Sequence, residues 1–332
     1  MARRRAVGGM LPAIMQTLHE SPRPFLRSLS VSLSLFLSLG ALSVAACGGG
    51  EETPAPEPTP CPETVETSDE ALDAPLEDVP EIMPGYLRGY LETDAHPDSV
   101  ALLPPPPAPN SAALERDHEV ATAAVEGASP ARFALATRDA DLSFPAAAST
   151  FSCAVNVSIT EDSAPHLYRL LRRILADGGL STETAKHEYE RPRPFTENER
   201  PLCTPEEEAE LRADGSYPSG HTAAGWTWAL VLAEIVPERS DDVLARGIAF
   251  GQSRIICNVH WQSDVDAGRV MGSAIVARLH ADEGFVRDLA AAKREYRALV
   301  EAGSTPTGDC AAEAAALAET FPPLIRVEAA GE

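Results

Sequence analysis

The sequence predicts an all-α domain, and three observations support that prediction. Leucine and isoleucine side chains recur at helical spacing between Leu167 and Leu175. Residues 221–235 are apolar with several small side chains, which indicates a buried central helix. Alternating apolar and polar residues, the pattern typical of strands, are scarce. We therefore expect helices to build the core and the loops between them to carry the polar motifs.

Residues 1–47 have the pattern of an export signal. Arginines near the chain start precede an apolar, serine-rich stretch without charge over 29–46, and small residues lead to Cys47. A cysteine directly after small residues resembles the lipobox of bacterial lipoproteins. That resemblance implies lipidation of Cys47, a periplasmic or outer-membrane location, and membrane contact only through the lipid. An ordinary cleaved signal with an incidental Cys47, or an uncleaved anchor, stays open.

The remaining chain divides into a tether, a globular domain and a tail. Residues 48–82 are rich in Gly, Pro, Glu and Thr, which predicts a disordered acidic tether. Globular composition runs over 83–302, and 303–332 form a partly helical tail. After residue 47 no apolar run reaches the length of about 18 residues that a membrane span needs.

Within the globular domain the elements can be assigned in order. The proline run that begins at Pro104 predicts a rigid strap lying on the domain. The helix around Leu167 is expected to start after Asp162-Ser163 and to stop before Gly178-Gly179. Patterned stretches over 262–280 and 285–300 predict two more helices.

Charge and cysteine content limit the possible functions. The net charge of −23 argues against a nucleic-acid polymer as partner, because phosphate backbones are bound by clustered basic residues. A small phosphorylated substrate stays compatible, since a few arginines can reverse the local field in a cleft. No cysteine pair has the spacing of zinc ligands, so a zinc site of that kind is not expected. Pairing stays open for five cysteines: Cys61, Cys153, Cys203, Cys257 and Cys310.

Three polar segments stand out from the helical background. They run from Lys186 to Pro194, from Gly215 to Thr222, and from Ser253 to Asp264. Their basic side chains can surround one anion, because guanidinium forks match tetrahedral oxyanions. The three cations are Lys186, Arg193 and Arg254.

The second and third segments add donors and titrating groups. Ser219 offers a hydroxyl, and Gly220 lets backbone amides approach an anion closely. A helix that begins near His221 would add unpaired N–H donors. His260 and Asp264 are four residues apart, so on a helix they would share a face and the carboxylate would fix the imidazole tautomer.

Together the segments fit the pattern K-x6-RP, PSGH and SR-x5-H-x3-D. In this pattern the chain resembles bacterial class A acid phosphatases, type 2 phosphatidic acid phosphatases and vanadium haloperoxidases. The strings GSYPSGHT and SRIICNVHWQSDVDA, with PGYLRGYL, DSVALLPPPPAP and LYRLLRRIL upstream, are most similar to the class A non-specific acid phosphatases. The resemblance spans residues 85–300 and implies the compact helical fold of that superfamily, with 83–302 as the catalytic domain.

The resemblance also implies a role for each matched residue. His260 would attack phosphorus and form a phosphohistidine, Asp264 would orient His260, and His221 would be the general acid and base. Phosphate binding is implied for a second set, namely Lys186, Arg193, Ser219, Gly220 and Arg254. A bell-shaped pH profile centred on the acid side of neutrality is expected, because a neutral His260 and a protonated His221 are both needed.

The implied function is a metal-independent acid phosphatase without a cofactor and with broad specificity for phosphate monoesters, including nucleotides. Phosphate transfer to alcohols, inhibition by vanadate and a homodimer are further expectations. Three alternatives stay open. They are a vanadate-dependent haloperoxidase, a lipid phosphatase, and a phosphate-binding lipoprotein without catalysis.

Overall fold

The computed structural model describes Leu76 and residues 78–318. Cys47, its export signal and most of the predicted tether lie outside these residues. In the described part thirteen α-helices account for the architecture, which confirms the all-α prediction. In chain order they are α1 Ser99–Leu102, α2 Ala112–Gly127, α3 Pro130–Arg138, α4 Ser152–Val155, α5 Pro165–Leu180, α6 Glu183–Tyr189, α7 Pro194–Asn198, α8 Glu208–Ala213, α9 Gly220–Ile235, α10 Ser240–Ile256, α11 Gln262–Leu279, α12 Glu283–Glu301 and α13 Cys310–Leu317.

A small hairpin and a proline strap precede the helical core. Strands β1 (Glu81–Met83) and β2 (Tyr86–Leu87) pair antiparallel. The strap lies against the domain as predicted, because the Tyr217 hydroxyl donates to the Pro104 carbonyl at 2.7 Å. Leu103, just before the prolines, is buried in the same cluster as Tyr217.

Helix α9 is the central helix of the core. It packs against α5, α10 and α11, while α12 packs mainly against α5. Trp228 on α9 is fully buried, and its indole N–H donates to the Leu171 carbonyl on α5 at 2.9 Å. The prediction of a buried central helix over 221–235 is therefore confirmed.

Small residues let α11 approach the start of α9. A Cβ atom on Gly268 would lie 2.6 Å from the Ser219 carbonyl oxygen, and one on Gly272 would lie 2.7 Å from the Ala223 carbonyl oxygen. Both contacts are too short for any side chain, so glycine is required for this approach. The close packing brings the third polar segment, which leads into α11, against the second, which leads into α9.

The predicted end of α5 is wrong by a few residues. The helix continues through Gly178 and Gly179 to Leu180. A Cβ atom on Gly178 would lie 2.8 Å from the Ala224 Cα atom of α9. This glycine therefore serves helix–helix contact and does not terminate the helix. The helices predicted over 262–280 and 285–300 are present as α11 and α12.

Two disulfides close loops within the described domain. Cys203 is bonded to Cys257, and Cys153 is bonded to Cys310 at the start of α13. Helix α13, from the predicted tail, also pairs Glu313 with Arg246 on α10 at 3.3 Å. Across residues 78–318, no helix combines the length and apolar character that a membrane crossing requires.

Candidate active site

The start of α9 forms one wall of the site. Ser219 is the N-cap, and its hydroxyl oxygen accepts from the Thr222 amide at 3.2 Å and from the Thr222 hydroxyl at 3.0 Å. Because both lone pairs of that oxygen are used, the Ser219 proton is left to donate to a ligand. The Gly220 and His221 amides belong to the first turn, whose N–H groups have no partner inside the helix. This end therefore presents donors and a positive dipole to an anion.

The three predicted cations lie around this helix start and are buried. Lys186, Arg193 and Arg254 expose 6%, 2% and 1% of their surface. Burial and the neighbouring Arg193 lower the pKa of Lys186. Burial and the same Arg193 lower the pKa of Arg254 to about 10. Three positive charges are thus concentrated in a buried part of the domain.

Arg254 differs from the other two cations in its partners. Its three guanidinium nitrogens are buried, and none has a hydrogen-bond partner in the part of the chain that the structure describes. Leaving buried polar groups unpaired is costly, and for a charged group the cost is larger. Arg254 therefore marks a place where an anion would supply the missing acceptors.

Asp214 holds the other two cations together. Its Oδ2 atom accepts from Lys186 Nζ at 2.5 Å and from Arg193 Nη2 at 2.7 Å. Arg193 also donates to the carbonyl oxygens of Leu211 and Val259. These bonds fix both cations, and the Asp214 side chain is 42% exposed, so the carboxylate lies toward solvent.

His260 lies at the bottom of the site with only 2% exposed. Arg193 Nη1 is 3.1 Å from His260 Nε2, and because a guanidinium can only donate, Nε2 is the acceptor. The proton of the neutral ring is therefore on Nδ1, which faces Asp264 Oδ2 at 3.5 Å. Burial and then Arg193, Lys186 and Arg254 lower the pKa of His260 well below its usual range.

The expectation that His260 and Asp264 share a helix face is wrong. Helix α11 begins at Gln262 with Trp261 as N-cap, so His260 precedes the helix. Asp264 is in the first turn, and its Oδ2 accepts from the Trp261 amide at 2.8 Å. The helix start, rather than a helix face, brings the carboxylate beneath the imidazole.

His221 faces the same space from α9. Its Nε2 atom is 2.9 Å from the Ala140 carbonyl oxygen, which can only accept, so Nε2 carries a proton. Any second proton must therefore sit on Nδ1. Burial and then Arg254 lower the pKa of His221 well below its usual value, while the Ala140 carbonyl opposes that shift.

Electrostatics and contacts bring the eight predicted site residues of the globular domain into one cluster. His260 is within electrostatic range of the three cations and of His221, and the Ser219 amide donates to the Asp264 carbonyl at 3.0 Å. A Cβ atom on Gly220 would lie 3.9 Å from Lys186 Cε. The roles assigned to these residues stay predictions. In residues 78–318, no group of three or more His, Cys, Asp or Glu side chains is arranged to hold a metal ion.

Several contributing residues were missed by the motif analysis. Arg191 donates to Asp264 Oδ1 at 2.6 Å and to Asp117 Oδ2 at 2.7 Å. Asp139, next to the carbonyl that binds His221, is paired with Arg246 of α10. Arg191 lies two positions before Arg193 in a basic string, which was a usable signal. The two aspartates carry no local sequence signal, because their partners are distant in the chain.

Comparison with known proteins agrees with this geometry. The family profile described as the PAP2 superfamily matches residues 168–285. A non-specific acid phosphatase of Providencia stuartii is 44% identical over 211 residues, which are 63% of this chain and 85% of that protein. An acid phosphatase of Zymomonas mobilis is 38% identical over 211 residues, 64% of this chain and 80% of that protein. A non-specific acid phosphatase of Salmonella typhimurium is 43% identical over 194 residues, 58% of this chain and 78% of that protein.

Similarity at this level extends over most of each relative, and the region matched by the family profile includes the three polar segments. It also agrees with the helical architecture and with the buried cations around the start of α9. The chain therefore belongs to the class A non-specific acid phosphatases of the PAP2 superfamily, and it is an acid phosphatase.

Proposed function

We propose that this acid phosphatase hydrolyses phosphate monoesters through a covalent phosphohistidine on His260, without a metal ion. The observation that carries the proposal is the buried Arg254 guanidinium, whose three nitrogens lack acceptors in the described part of the chain. A phosphoryl group there would accept from Arg254, from the Ser219 hydroxyl and from the Gly220 amide. It would also lie next to His260, which is within electrostatic range of Arg254.

In the first step His260 Nε2 would attack phosphorus while the bond to the ester oxygen breaks. Arg193 would turn its N–H from Nε2 to a phosphoryl oxygen, which releases the lone pair for attack. The imidazole becomes positive as the N–P bond forms, and Asp264 would stabilise that charge through the Nδ1 proton. His221 would deliver its Nδ1 proton to the leaving alkoxide.

In the second step the roles of His221 reverse. Its neutral Nδ1 would take a proton from water, the water oxygen would attack phosphorus, and the N–P bond would break to release phosphate and neutral His260. An alcohol in place of water would give a new phosphate ester, which accounts for the expected phosphotransfer. The ring tautomer supports this role, because the Ala140 carbonyl holds a proton on Nε2 and leaves Nδ1 for proton exchange.

The three buried cations support a reaction that needs no metal. Phosphoryl transfer depends mainly on positioning and on stabilising charge at the phosphoryl oxygens. Lys186, Arg193 and Arg254 are fixed at the site and would supply that charge in place of a divalent ion. Their burial increases the effect, since charges interact more strongly away from water.

Broad specificity for small phosphorylated molecules is part of the proposal. Only the phosphate group would be enclosed, because the buried donors surround that group while His221 and Gly220 are partly exposed. The relatives from Providencia stuartii and Salmonella typhimurium carry the name non-specific acid phosphatase, which supports the same breadth here. Nucleotides and other monoesters are the expected substrates, and a homodimer stays a prediction.

Export to an oxidising compartment and anchoring through Cys47 complete the proposal. Two disulfides in the described domain support export, because such bonds persist in oxidising compartments. The test is incorporation of labelled fatty acid into the full-length chain in a bacterial host. Label in the wild type and none in Cys47→Ala is expected, and equal labelling of both would rule out lipidation at Cys47.

The catalytic proposal is tested with histidine variants and a substrate panel. His260→Ala should lose turnover of all monoesters while keeping its fold, and His221→Ala should lose turnover of esters with poor leaving groups most strongly. His280→Ala is the matched control, because His280 is exposed at the C-terminal end of α11, where it pairs with Glu234 and contacts the Phe285 ring. Activity close to wild type in His260→Ala would refute the proposal.

Two additions to the same assay separate the alternatives. Full activity after EDTA treatment is expected, and loss that zinc or magnesium restores would refute the metal-free step. Vanadate should inhibit, and oxidation of halide in the presence of vanadate and peroxide would identify a haloperoxidase instead. Phosphate binding without turnover of any monoester would identify a binding protein.

A further inference from the structure

A buried network of charged side chains connects Asp264 to helix α2. Arg191 donates from Nη1 to Asp264 Oδ1 at 2.6 Å and from Nη2 to Asp117 Oδ2 at 2.7 Å. Asp117 is 1% exposed, Arg191 is 8% exposed and Asp264 is 0% exposed. One guanidinium therefore bridges two buried carboxylates, and only Asp264 approaches a predicted catalytic group.

The Asp117 carboxylate, which binds Arg191, is itself held by several hydrogen bonds. Asp117 Oδ1 accepts from the Ser263 amide at 2.9 Å, and Asp117 Oδ2 accepts from the Ser263 hydroxyl at 2.5 Å. Arg191 Nη1 also donates to that hydroxyl oxygen at 2.7 Å. The Asp117 carboxylate thus holds both Arg191 and the first turn of α11 in register. Helix α2, which carries Asp117, lies before the region that the family profile matches.

We propose that Arg191, held by Asp117, is the positioning residue that favours the carboxylate form of Asp264 and aims it at the imidazole of His260. This inference rests on the proposed role of His260 as nucleophile. Asp264 Oδ2 is 3.5 Å from His260 Nδ1, and its Oδ1 is bound to Arg191. The two oxygens of one carboxylate therefore connect the imidazole to a permanent positive charge.

The charges that face Asp264 give the direction of the effect. Burial is the largest influence and raises the pKa of Asp264 to about 7; Arg191 and the Trp261 amide oppose that rise, and Asp117 adds to it. His260 faces Asp264 from the loop before α11. Arg193 at the start of α7 and Tyr217 in the segment before α9 are also within electrostatic range of Asp264. Among these groups Arg191 is the cation in direct contact with the carboxylate.

Loss of Arg191 would therefore raise the pKa of Asp264. A protonated Asp264 cannot stabilise the positive imidazole that forms with the N–P bond. Because a carboxyl group with a raised pKa becomes neutral at a higher pH, the acid limb of the kcat profile should move to higher pH. Phosphate binding should change little, since Arg191 is not one of the cations around the phosphate site.

The test compares Arg191→Gln with wild type across pH. We expect kcat to fall about 10- to 100-fold, which is the size of loss found at metal sites when a partner that orients a directly acting residue is removed. KM should stay close to wild type, and the acid limb should move upward. Arg200→Gln is the matched control, because Arg200 forms an exposed pair with Glu126 and should leave the profile unchanged. A loss expressed in KM alone, or an unmoved acid limb, would overturn the inference.

A second pair of variants covers the case in which Arg191→Gln does not fold. Asp117→Asn keeps the size of the side chain and leaves Arg191 in place but holds it less firmly, so a smaller fall in kcat is expected. The acid limb should not move upward, because the variant removes a charge that raises the pKa of Asp264. Unchanged kinetics in folded Asp117→Asn would contradict the role of Asp117. Combining either variant with Asp264→Asn should give no additional loss, since both act through the same carboxylate.

The same measurements separate this inference from the proposed function. If wild type forms no phosphohistidine, the proposed role of His260 fails and the inference fails with it. If wild type forms phosphohistidine and the losses from Arg191→Gln and Asp264→Asn multiply independently, only the inference fails. If the losses do not multiply and the acid limb moves, both stand.

Discussion

Arg254→Met should raise stability and abolish phosphate binding in a single change. In the folded chain the Arg254 guanidinium is 1% exposed, and its nitrogens have no acceptor in the part of the chain that the structure describes. The methionine side chain fills much of the same space without a charge. The substitution therefore removes a buried cation without leaving a partner unpaired.

The magnitude follows from the pKa of the group. Burial and Arg193 lower the pKa of Arg254 from its ordinary value to about 10. Each pKa unit corresponds to about 1.4 kcal/mol, so the charge costs about 3 kcal/mol near neutral pH. Because the aliphatic stem of Arg254 also packs in the core, we expect a net gain of about 1–3 kcal/mol in the free energy of unfolding.

The assay is thermal unfolding with and without inorganic phosphate. Wild type should gain about 2.7 kcal/mol at a phosphate concentration 100 times Kd, and Arg254→Met should gain nothing at that concentration. Without phosphate the variant should unfold at a higher temperature than wild type. Turnover of monoesters should be lost.

Arg246→Met is a matched control that should change the free energy of unfolding in the opposite direction. Arg246 lies on the same helix and is 3% exposed, but its guanidinium is paired with Asp139. Removing it leaves the buried Asp139 carboxylate without its cation, so a loss of about 3–5 kcal/mol is expected. An Arg254→Met protein that is less stable than wild type and still gains stability from phosphate would refute the reasoning about the anion site.

Three further predictions follow from the site and the disulfides. The pH profile should be bell-shaped on the acid side of neutrality, because burial and the cations lower the pKa of His221 and of His260. In addition, phosphate monoesters hold a second proton only below about pH 6. A rate that rises steadily to pH 9 would contradict this prediction. Asp214→Asn should tighten inhibition by phosphate, because it removes a negative charge bonded to Lys186 and Arg193. Weaker inhibition would show that the carboxylate mainly positions these two cations. Replacing Cys203 and Cys257 with alanine should lower the free energy of unfolding by about 4 kcal/mol for a loop with a sequence separation of 54; calorimetry showing no loss would contradict the stabilising role of this bridge.

Much of the fold could be predicted because the helices carry local signals. The central helix α9 is mainly apolar, and α11 and α12 show periodic patterns, so their positions follow from the sequence. The end of α5 could not be predicted in this way. Glycine commonly ends helices, so Gly178 suggests a helix end. Its close contact with Ala224 of α9 is a tertiary requirement that only the packed structure shows.

The candidate site shows the same difference between residues with a local sequence signal and residues linked only by tertiary contacts. Its cations, Ser219 and the two histidines lie in three short strings, so local spacing was sufficient to select them. The link from Arg191 to Asp117 joins residues separated by 74 positions, and no local pattern reports it. The start of α11 at Gln262 likewise depends on Asp264 capping the Trp261 amide, which placed His260 before the helix.

The central claim is that His260 carries the phosphoryl group during turnover. The most direct measurement is rapid quenching of wild type during turnover, followed by peptide mass spectrometry under alkaline conditions that preserve phosphohistidine. Phosphate on the peptide containing His260, and its absence in His260→Ala with the His280→Ala control still labelled, is the predicted result. Phosphate on another residue, or rapid turnover with no labelled peptide at any quench time, would contradict the account.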